Sequence, residues 1–136
     1  MVIGYTQGTF DMFHIGHLNL LKNAKAQCDF LVVGVNSDEL VKQYKNKSVV
    51  VPLAERMAIV GAIKFVDRVV KCETLDKKIA FDAIRFQKIF IGDDWKGNLR
   101  WEETGRLMKS LGAELVYLPH TQGTSSTMLR NKLKDL

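Results

Sequence analysis

Cysteine is scarce in this sequence, and so are the features that mark membrane-spanning or exported chains. Cys28 and Cys72 are the two cysteines among 136 residues, and they form no CxxC pair of the kind found in metal or redox sites. No apolar run approaches the roughly 20 residues that span a bilayer. The first residues carry no basic region or cleavage site typical of a signal peptide. These absences predict a cytoplasmic protein with reduced thiols and no membrane insertion.

Long basic segments are also missing, although the net charge is +5, from 20 basic and 15 acidic residues. Because the positive charge is spread along the chain, we expect a nucleotide or sugar phosphate as the ligand rather than a nucleic acid. The length suits one domain, covering residues 1–136, with a sizeable apolar core.

Short apolar segments alternate with helical patterns along the whole chain. Five segments are apolar throughout rather than at every second position, which is typical of strands covered on both faces. They comprise residues 2–6, 30–35, 68–71, 88–91 and 114–118, and helical patterns comprise 17–25, a short stretch through 40, 52–65, 76–86, 101–111 and 127–136. The alternation predicts a single α/β domain. Its sheet would be a Rossmann-like, doubly wound, five-stranded parallel sheet in the order 3-2-1-4-5.

Two of the three histidines follow the first predicted strand, in the segment GTFDMFHIGH at residues 8–17. The segment is neither a P-loop nor a GxGxxG fingerprint. His14 and His17 could bind a metal together with Asp11, act as acid and base, or donate hydrogen bonds to phosphate at a helix start. No cysteine or HExxH companion lies nearby, which disfavours the metal hypothesis.

Further polar residues follow the second and fourth predicted strands, at the sheet edge where ligands of such folds bind. The segment KQYKNK, residues 42–47, contains Lys42, Lys45 and Lys47. These lysines could contact phosphate or simply face solvent. Arg56 could donate to a phosphate or pair with a carboxylate such as Glu55. In GDDWKGN, Asp93 and Asp94 could form a turn or hold ribose hydroxyls or Mg²⁺. In that loop Trp95 could pack beside a base or close the core.

The segment HTQGTSST, residues 120–127, follows the fifth predicted strand and opens the last predicted helix. Small hydroxyl residues and glycine at a helix start can form an anion-binding nest, or can cap the helix without binding anything. Both alternatives remain open at this point.

These motifs together resemble a known family. GTFD followed by HIGH resembles the HxGH signature of the nucleotidyltransferase superfamily, and HTQGTSST resembles the RTEGIST motif of its cytidylyltransferase branch. GDDWKG, the lysine loop and the Glu55-Arg56 pair occur in register with them. From Thr6 nearly to its end, the chain is similar to the bacterial cytidylyltransferases that act on glycerol 3-phosphate.

The resemblance implies transfer of CMP from CTP to a phosphorylated alcohol or polyol, with glycerol 3-phosphate as the leading acceptor and CDP-glycerol and pyrophosphate as products. It also implies a Mg²⁺ cofactor, a homodimer and a role in cell wall or capsule polysaccharide synthesis. Alternatives are an adenylyltransferase, or an enzyme for another acceptor such as a heptose phosphate, because PLAERMAIVGAIKFVD is similar to that branch. A nucleotide-binding protein without catalysis is the third hypothesis.

The resemblance also assigns roles to individual residues. It gives catalytic roles to His14, His17, Lys47 and Asp11, and it makes Asp11 a ligand of a Mg²⁺ held mainly through phosphates. It assigns substrate binding to Gly8, Thr9, Phe10, Gly16, Lys45, Arg56, Lys64, Gly92, Asp94, Trp95, His120, Thr121, Gly123, Ser125, Ser126 and Thr127. The chain departs from the family motif at His120, Gln122 and Lys64, where the family has arginine, glutamate and arginine. Those departures concern the contacts with the acceptor, so the acceptor could differ from that of the family.

Overall fold

A computed structural model describes residues 1–121 and 126–134. Its centre is a five-stranded parallel sheet in the order β3-β2-β1-β4-β5. The strands are β1 (Ile3–Gly8), β2 (Phe30–Asn36), β3 (Arg68–Cys72), β4 (Lys88–Gly92) and β5 (Glu114–Leu118). The strand order and direction confirm the predicted doubly wound sheet.

Six helices connect or follow the strands. They are α1 (Ile15–Lys25), α2 (Asp38–Lys45), α3 (Leu53–Gly61), α4 (Lys77–Ile84), α5 (Leu99–Ser110) and α6 (Ser126–Lys134), and a short 3-10 helix covers Asp93–Trp95. In the part of the chain that the structure describes, no helix combines the length and apolar character needed to cross a bilayer.

Two apolar cores lie on opposite faces of the sheet. One contains Leu21 of α1 and Val60 of α3 together with Val33 of β2. The other contains Phe81 of α4 and Met108 of α5, packed against strand residues that include the neighbouring Val32. Successive residues of a strand point to opposite faces, so a strand buried on both sides is apolar at every position. This burial explains the apolar runs of β2 and β4, whereas the edge strands β3 and β5 are only partly buried.

Helix ends differ from the sequence-based limits where apolar spacing gives no guide. The α2 helix begins at a Ser37 cap, whose Oγ accepts a hydrogen bond from the Leu40 amide at 3.1 Å. It then continues to Lys45 instead of ending near residue 40. Its last turn is polar and exposed, so burial leaves no periodic signal there. The longer helix carries Tyr44 and Lys45 to the carboxyl edge of the sheet.

Candidate active site

The loops after β1 and β2 and the start of α6 meet at the carboxyl edge of the sheet. They enclose a cavity of about 170 Å³, which we call the histidine cavity. Its walls include three side chains that donate hydrogen bonds to anions, those of His17, Lys45 and Arg130. The remaining lining residues are Gln7, Gly8, Thr9, Phe10, Asp11, Leu20 and Ser126.

The two histidines form the N-terminal cap of α1. The Nδ1 atom of His14 accepts a hydrogen bond from the Gly16 amide at 3.0 Å, and Nδ1 of His17 accepts one from the His14 amide at 3.2 Å. This is a capping box, in which serine or threonine and glutamate or glutamine usually play these parts. Because Nδ1 is the acceptor in both rings, the single ring proton of each neutral imidazole is on Nε2.

Both imidazoles are neutral near pH 7. Burial lowers the pKa of His17 to about 3; the nearby His14 ring and the Lys45 charge lower it further, and the Asp11 carboxylate raises it without reversing the shift. Burial also lowers the pKa of His14. The ring centroids lie only 3.9 Å apart. Such rings offer a pair of neutral Nε2–H donors. They suit anion binding better than proton transfer, which needs a pKa near the working pH, or metal ligation, which needs an unprotonated Nε2.

Gly16 is required by the His14 cap. A Cβ atom on Gly16 would lie 2.8 Å from Cε1 of the His14 ring, closer than two carbons approach without displacement. The space that Gly16 provides is therefore occupied by an imidazole. Phe10 is 4% exposed, and its ring packs against that of His17 with the ring centroids 5.4 Å apart.

Asp11, in the β1–α1 loop, bonds to two other segments around the cavity, the residues just before α3 and helix α6. Its carboxylate is 2% exposed and accepts hydrogen bonds from the Val50 and Val51 amides, both at 2.8 Å, and it forms an ion pair with Arg130. Burial alone would raise the pKa of Asp11, but these partners outweigh burial and hold it below its usual range. Its backbone carbonyl accepts a hydrogen bond from Ser126 Oγ at 2.6 Å.

A second cavity of about 360 Å³ adjoins the first, and we call it the α4–α5 cavity. Four residues line both cavities: Gln7, Gly8, Thr9 and Lys45. A hydrogen bond between the Tyr44 and Thr9 hydroxyls (3.0 Å) and one from Asn36 Nδ2 to Tyr44 Oη (3.1 Å) form part of its wall. The lining residues are Gln7, Gly8, Thr9, Asn36, Tyr44, Lys45, Leu75, Lys77, Ile91, Trp95, Asn98, Arg100, Trp101 and Thr104.

The ends of β4 and β5 place a third group of polar residues beside these cavities. His120 Nδ1 lies 2.5 Å from Asp93 Oδ1, and this contact raises the pKa of His120 and lowers that of Asp93. A Cβ on Gly92 would lie 2.5 Å from the Asp94 carboxylate. Ligand atoms of Asp93, Asp94 and His120 lie within 4.8 Å of one another. This exposed trio could coordinate a cation, although Asp93 and His120 already bond to each other.

A family model described as cytidylyltransferase-like matches residues 5–132. The chain belongs to the cytidylyltransferase-like family. The match includes the histidine segment, both cavities and the start of α6.

Individual relatives of this cytidylyltransferase-like chain differ in the substrate that their names state. A glycerol-3-phosphate cytidylyltransferase of Bacillus spizizenii is 35% identical over 132 residues, which cover 96% of each chain. An ethanolamine-phosphate cytidylyltransferase of Arabidopsis thaliana is 40% identical over 129 residues, covering 90% of this chain and 30% of that protein. A crystal structure of a lipopolysaccharide core biosynthesis protein from Thermoplasma volcanium has a TM-score of 0.78 and 24% identity, covering 90% of this chain and 99% of that one. This last likeness bears on the fold alone.

Three assignments made from the sequence disagree with the geometry of this cytidylyltransferase-like chain. The first is Asp11 as a Mg²⁺ ligand, because both of its oxygens already accept hydrogen bonds from the protein.

The second is Arg56 as a substrate-binding residue. Its side chain has no exposed surface, and it donates to the Val51, Thr9 and Asn36 carbonyls and to the Asp38 carboxylate. Arg56 therefore holds the loops after β1 and β2 in place instead of meeting a ligand.

The third is Lys64. It follows the end of α3, and three residues later the Asp67 amide donates to the Leu31 carbonyl at the start of β2. Lys64 therefore lies at the amino edge of the sheet, opposite the site, because α3 runs back along the sheet. Within one chain this placement contradicts substrate binding by Lys64.

The other predicted positions lie at the carboxyl edge of the sheet or next to it. Thr121 accepts a hydrogen bond from Asn19 at 2.9 Å, and Thr127 is exposed in the first turn of α6. Lys47 is exposed just beyond α2 and is not among the residues that line the histidine cavity. Gly123 and Ser125 lie outside the described residues.

Several residues of the two cavities were not predicted from the sequence, namely Arg130, Lys77, Arg100, Tyr44 and Asn36. Arg130 could have been predicted from the sequence, because it lies four residues after Ser126 and so on the same face of α6. Lys77 was not, because a lysine at a helix start is usually an exposed residue.

Proposed function

We propose that the protein transfers CMP from CTP to a phosphorylated alcohol, with glycerol 3-phosphate as the leading acceptor. The products would be CDP-glycerol and pyrophosphate. The observation that carries the proposal is the histidine cap, whose His17 lines the histidine cavity together with Lys45 and Arg130, with the His14 ring packed against His17. The near full-length similarity to a glycerol-3-phosphate cytidylyltransferase supports this choice of acceptor.

In the proposed reaction, an oxygen of the acceptor phosphate attacks the α-phosphorus of CTP. The bond between the α-phosphorus and the bridging oxygen to the β-phosphate breaks, and pyrophosphate leaves with that electron pair. The acceptor phosphate is already an anion, so no general base is needed, which agrees with the lowered pKa of His17, about 3. Positioned donors that stabilise the departing charge supply the catalysis.

Each donor has a defined place in this reaction. His17, Lys45 and Arg130 line one small cavity, so they can contact the same triphosphate. When bound, Mg²⁺ would neutralise charge between phosphate oxygens. Among the described residues lining the histidine cavity, Asp11 is the one carboxylate, and both of its oxygens accept hydrogen bonds from the protein. A magnesium ion would therefore be held mainly through the phosphates of the nucleotide.

A substrate panel tests the proposal. The protein is incubated with Mg²⁺, one phosphorylated polyol and one nucleoside triphosphate, and pyrophosphate release is measured for every combination. We expect release with CTP and glycerol 3-phosphate, and a loss of it in His17→Ala. Absence of CTP turnover with every phosphorylated polyol would refute the proposal.

The same panel separates the alternatives. A preference for ATP over CTP would indicate adenylyl transfer by this site. Tight CTP binding without pyrophosphate release, unchanged in His17→Ala, would indicate a nucleotide-binding protein without catalysis. The homodimer and the role in wall or capsule synthesis stay predictions, and light scattering of the purified protein tests the first.

A further inference from the structure

Three uncharged polar side chains form a hydrogen-bonded row along the carboxyl edge of the sheet. Gln7 lies near the end of β1, Asn36 is the last residue of β2, and Tyr44 lies in α2. All three line the α4–α5 cavity, and Gln7 also lines the histidine cavity. We call these three residues the amide relay. Their order, Gln7 to Asn36 to Tyr44, follows from the hydrogen bonds between them.

The Gln7 carboxamide is held in one orientation. Its Nε2 donates to the Thr74 carbonyl at 2.9 Å and to Asn36 Oδ1 at 2.8 Å. A main-chain carbonyl only accepts, so a reversed amide would place two acceptors against each other. On the other side, Gln7 Oε1 accepts a hydrogen bond from the Tyr5 hydroxyl at 2.7 Å. The main chain between β3 and α4 therefore decides which atom of Gln7 faces Asn36.

Gln7 in turn fixes the Asn36 carboxamide. Asn36 is 3% exposed, and because its Oδ1 accepts from Gln7, its Nδ2 faces the other way. There Nδ2 donates to Tyr44 Oη at 3.1 Å and more weakly to Thr9 Oγ1 at 3.5 Å. Asn36 therefore presents hydrogen-bond donors, and no acceptor, to this pair of hydroxyls.

One hydroxyl hydrogen of the Thr9–Tyr44 pair is left for a ligand. The two oxygens lie 3.0 Å apart, so one hydroxyl donates to the other. Asn36 accepts from neither, and the hydrogen bonds that the described residues make to this pair include no further acceptor. Thr9 lines the histidine cavity together with His17. When an anion occupies that cavity, Tyr44 can donate to Thr9 and Thr9 can donate to the anion.

The opposite polarity would remove this donor. If Asn36 presented its Oδ1 to the pair, one hydroxyl would donate to Asn36 and the other to its neighbouring hydroxyl. Both hydrogens would then be used within the protein. The direction of the amide relay, and not only its presence, therefore decides whether Thr9 can donate to a bound phosphate.

We propose that Gln7 is a positioning residue for nucleotidyl transfer, which acts through Asn36 and Tyr44 to keep the Thr9 hydroxyl a hydrogen-bond donor to the departing pyrophosphate. This inference rests on the proposed function and deepens it. The Thr9 donor acts beside His17, and its hydrogen bond strengthens as negative charge develops on the departing phosphates. Gln7 itself does not need to touch the nucleotide.

Gln7→Met tests the proposal by kinetics, because it keeps the length of the side chain and removes the amide. We expect kcat to fall about tenfold, the scale of one hydrogen bond. The KM of each substrate should stay within about threefold, because the hydrogen bond reaches full strength only as charge develops. Free pyrophosphate carries that charge, so its Kd, measured by calorimetric titration, should rise about tenfold as well.

Two further variants separate positioning from folding. Asn36→Leu removes the next link, and the double variant with Gln7→Met should be no slower than Asn36→Leu alone, because the two residues act in series. Independent structural effects would instead multiply. Gln87→Met is the matched control, because Gln87 also bonds to the main chain, at Ile3 and Arg85, but at the amino edge of the sheet. It should have wild-type kcat and pyrophosphate Kd.

NMR detects the direction of the amide relay without turnover. In wild type, nuclear Overhauser contacts should join the Asn36 side-chain amide hydrogens to the Tyr44 ring, because Nδ2 lies 3.1 Å from Tyr44 Oη. In Gln7→Glu the new carboxylate only accepts, so the Asn36 amide should reverse towards it. The contact with the Tyr44 ring should then weaken.

The outcomes distinguish the two proposals. Wild-type kcat in Gln7→Met, or no contact between the Asn36 amide and the Tyr44 ring in wild type, would overturn the inference while nucleotidyl transfer stands. If Gln7→Met does not fold, kcat of Asn36→Leu and the wild-type NMR contact decide the inference. Absence of turnover with every substrate would refute the proposed function. The pyrophosphate titration then decides alone: weaker binding by Gln7→Met supports the inference, and unchanged or absent binding contradicts it.

Discussion

Replacing Asp11 by asparagine should destabilise the fold strongly while leaving the magnesium requirement unchanged. The carboxylate is 2% exposed and accepts two amide hydrogen bonds at 2.8 Å in addition to the Arg130 ion pair. Asparagine has the same size, but its single carbonyl oxygen can replace only part of this set. Hydrogen bonds to a charged group contribute about 1.5–3 kcal/mol each.

The expected loss follows from what Asp11→Asn leaves unbonded. One of the Val50 and Val51 amides loses its acceptor, and the Arg130 guanidinium loses its counter-charge. Breaking a buried ion pair costs about 3–5 kcal/mol. The Arg130 side chain is 25% exposed, so water recovers part of that cost. We therefore expect the free energy of unfolding to fall by about 3 kcal/mol.

Urea unfolding followed by circular dichroism measures this change. Asp82→Asn is the matched control, because it removes a surface carboxylate that pairs with Lys78. That control should cost less than about 1 kcal/mol. An Asp11→Asn protein whose unfolding free energy lies within about 1 kcal/mol of wild type would refute the structural role.

The magnesium dependence of activity separates the two roles of Asp11. If Asp11 positions the surrounding segments, the residual activity of folded Asp11→Asn should reach half its maximum at the wild-type Mg²⁺ concentration. A rise of that concentration by about tenfold or more would instead identify Asp11 as a metal ligand.

Three further predictions concern the histidine cap. His17→Ala should lower kcat by at least about 100-fold, the scale of a lost transition-state donor, in a steady-state pyrophosphate assay. It should also cost about 1 kcal/mol of stability, measured by urea unfolding, because the Nδ1 cap is lost. The folded-state pKa of His17 is about 3, below the unfolded value of about 6.5. The unfolded chain therefore gains a proton first as the pH falls, and stability should decline from pH 6.5 towards 3, with a shallower slope in His17→Gln. Gly16→Ala should displace the His14 ring and reduce kcat with little change in the KM of the acceptor, and wild-type kinetics would contradict that reasoning.

The strand order was predictable from the sequence because both faces of the sheet are covered. Burial on two sides makes the central strands β2 and β4 apolar at consecutive positions, and alternation with helices then restricts the topology. The end of α2 was not predictable, since its last turn is polar and exposed and leaves no periodic pattern.

The candidate site was predictable as a set of loops but not as a set of roles. Sequence shows that a residue is an arginine or an aspartate, but not whether its hydrogen bonds are already satisfied. Arg56 and Asp11 have the residue types of ligand-binding side chains, yet the protein itself uses their donors and acceptors. Lys77 shows the reverse, because its residue type predicts exposure, yet it is 9% exposed and its ammonium lies 5.3 Å from the centroid of the Trp101 ring.

Phosphorus NMR of a mixture of the protein, Mg²⁺, CTP and glycerol 3-phosphate follows cytidylyl transfer directly. We expect CDP-glycerol and pyrophosphate to form in equal amounts, and neither to form at a comparable rate in His17→Ala. Release of inorganic phosphate without CDP-glycerol, or equal product formation by His17→Ala, would contradict it.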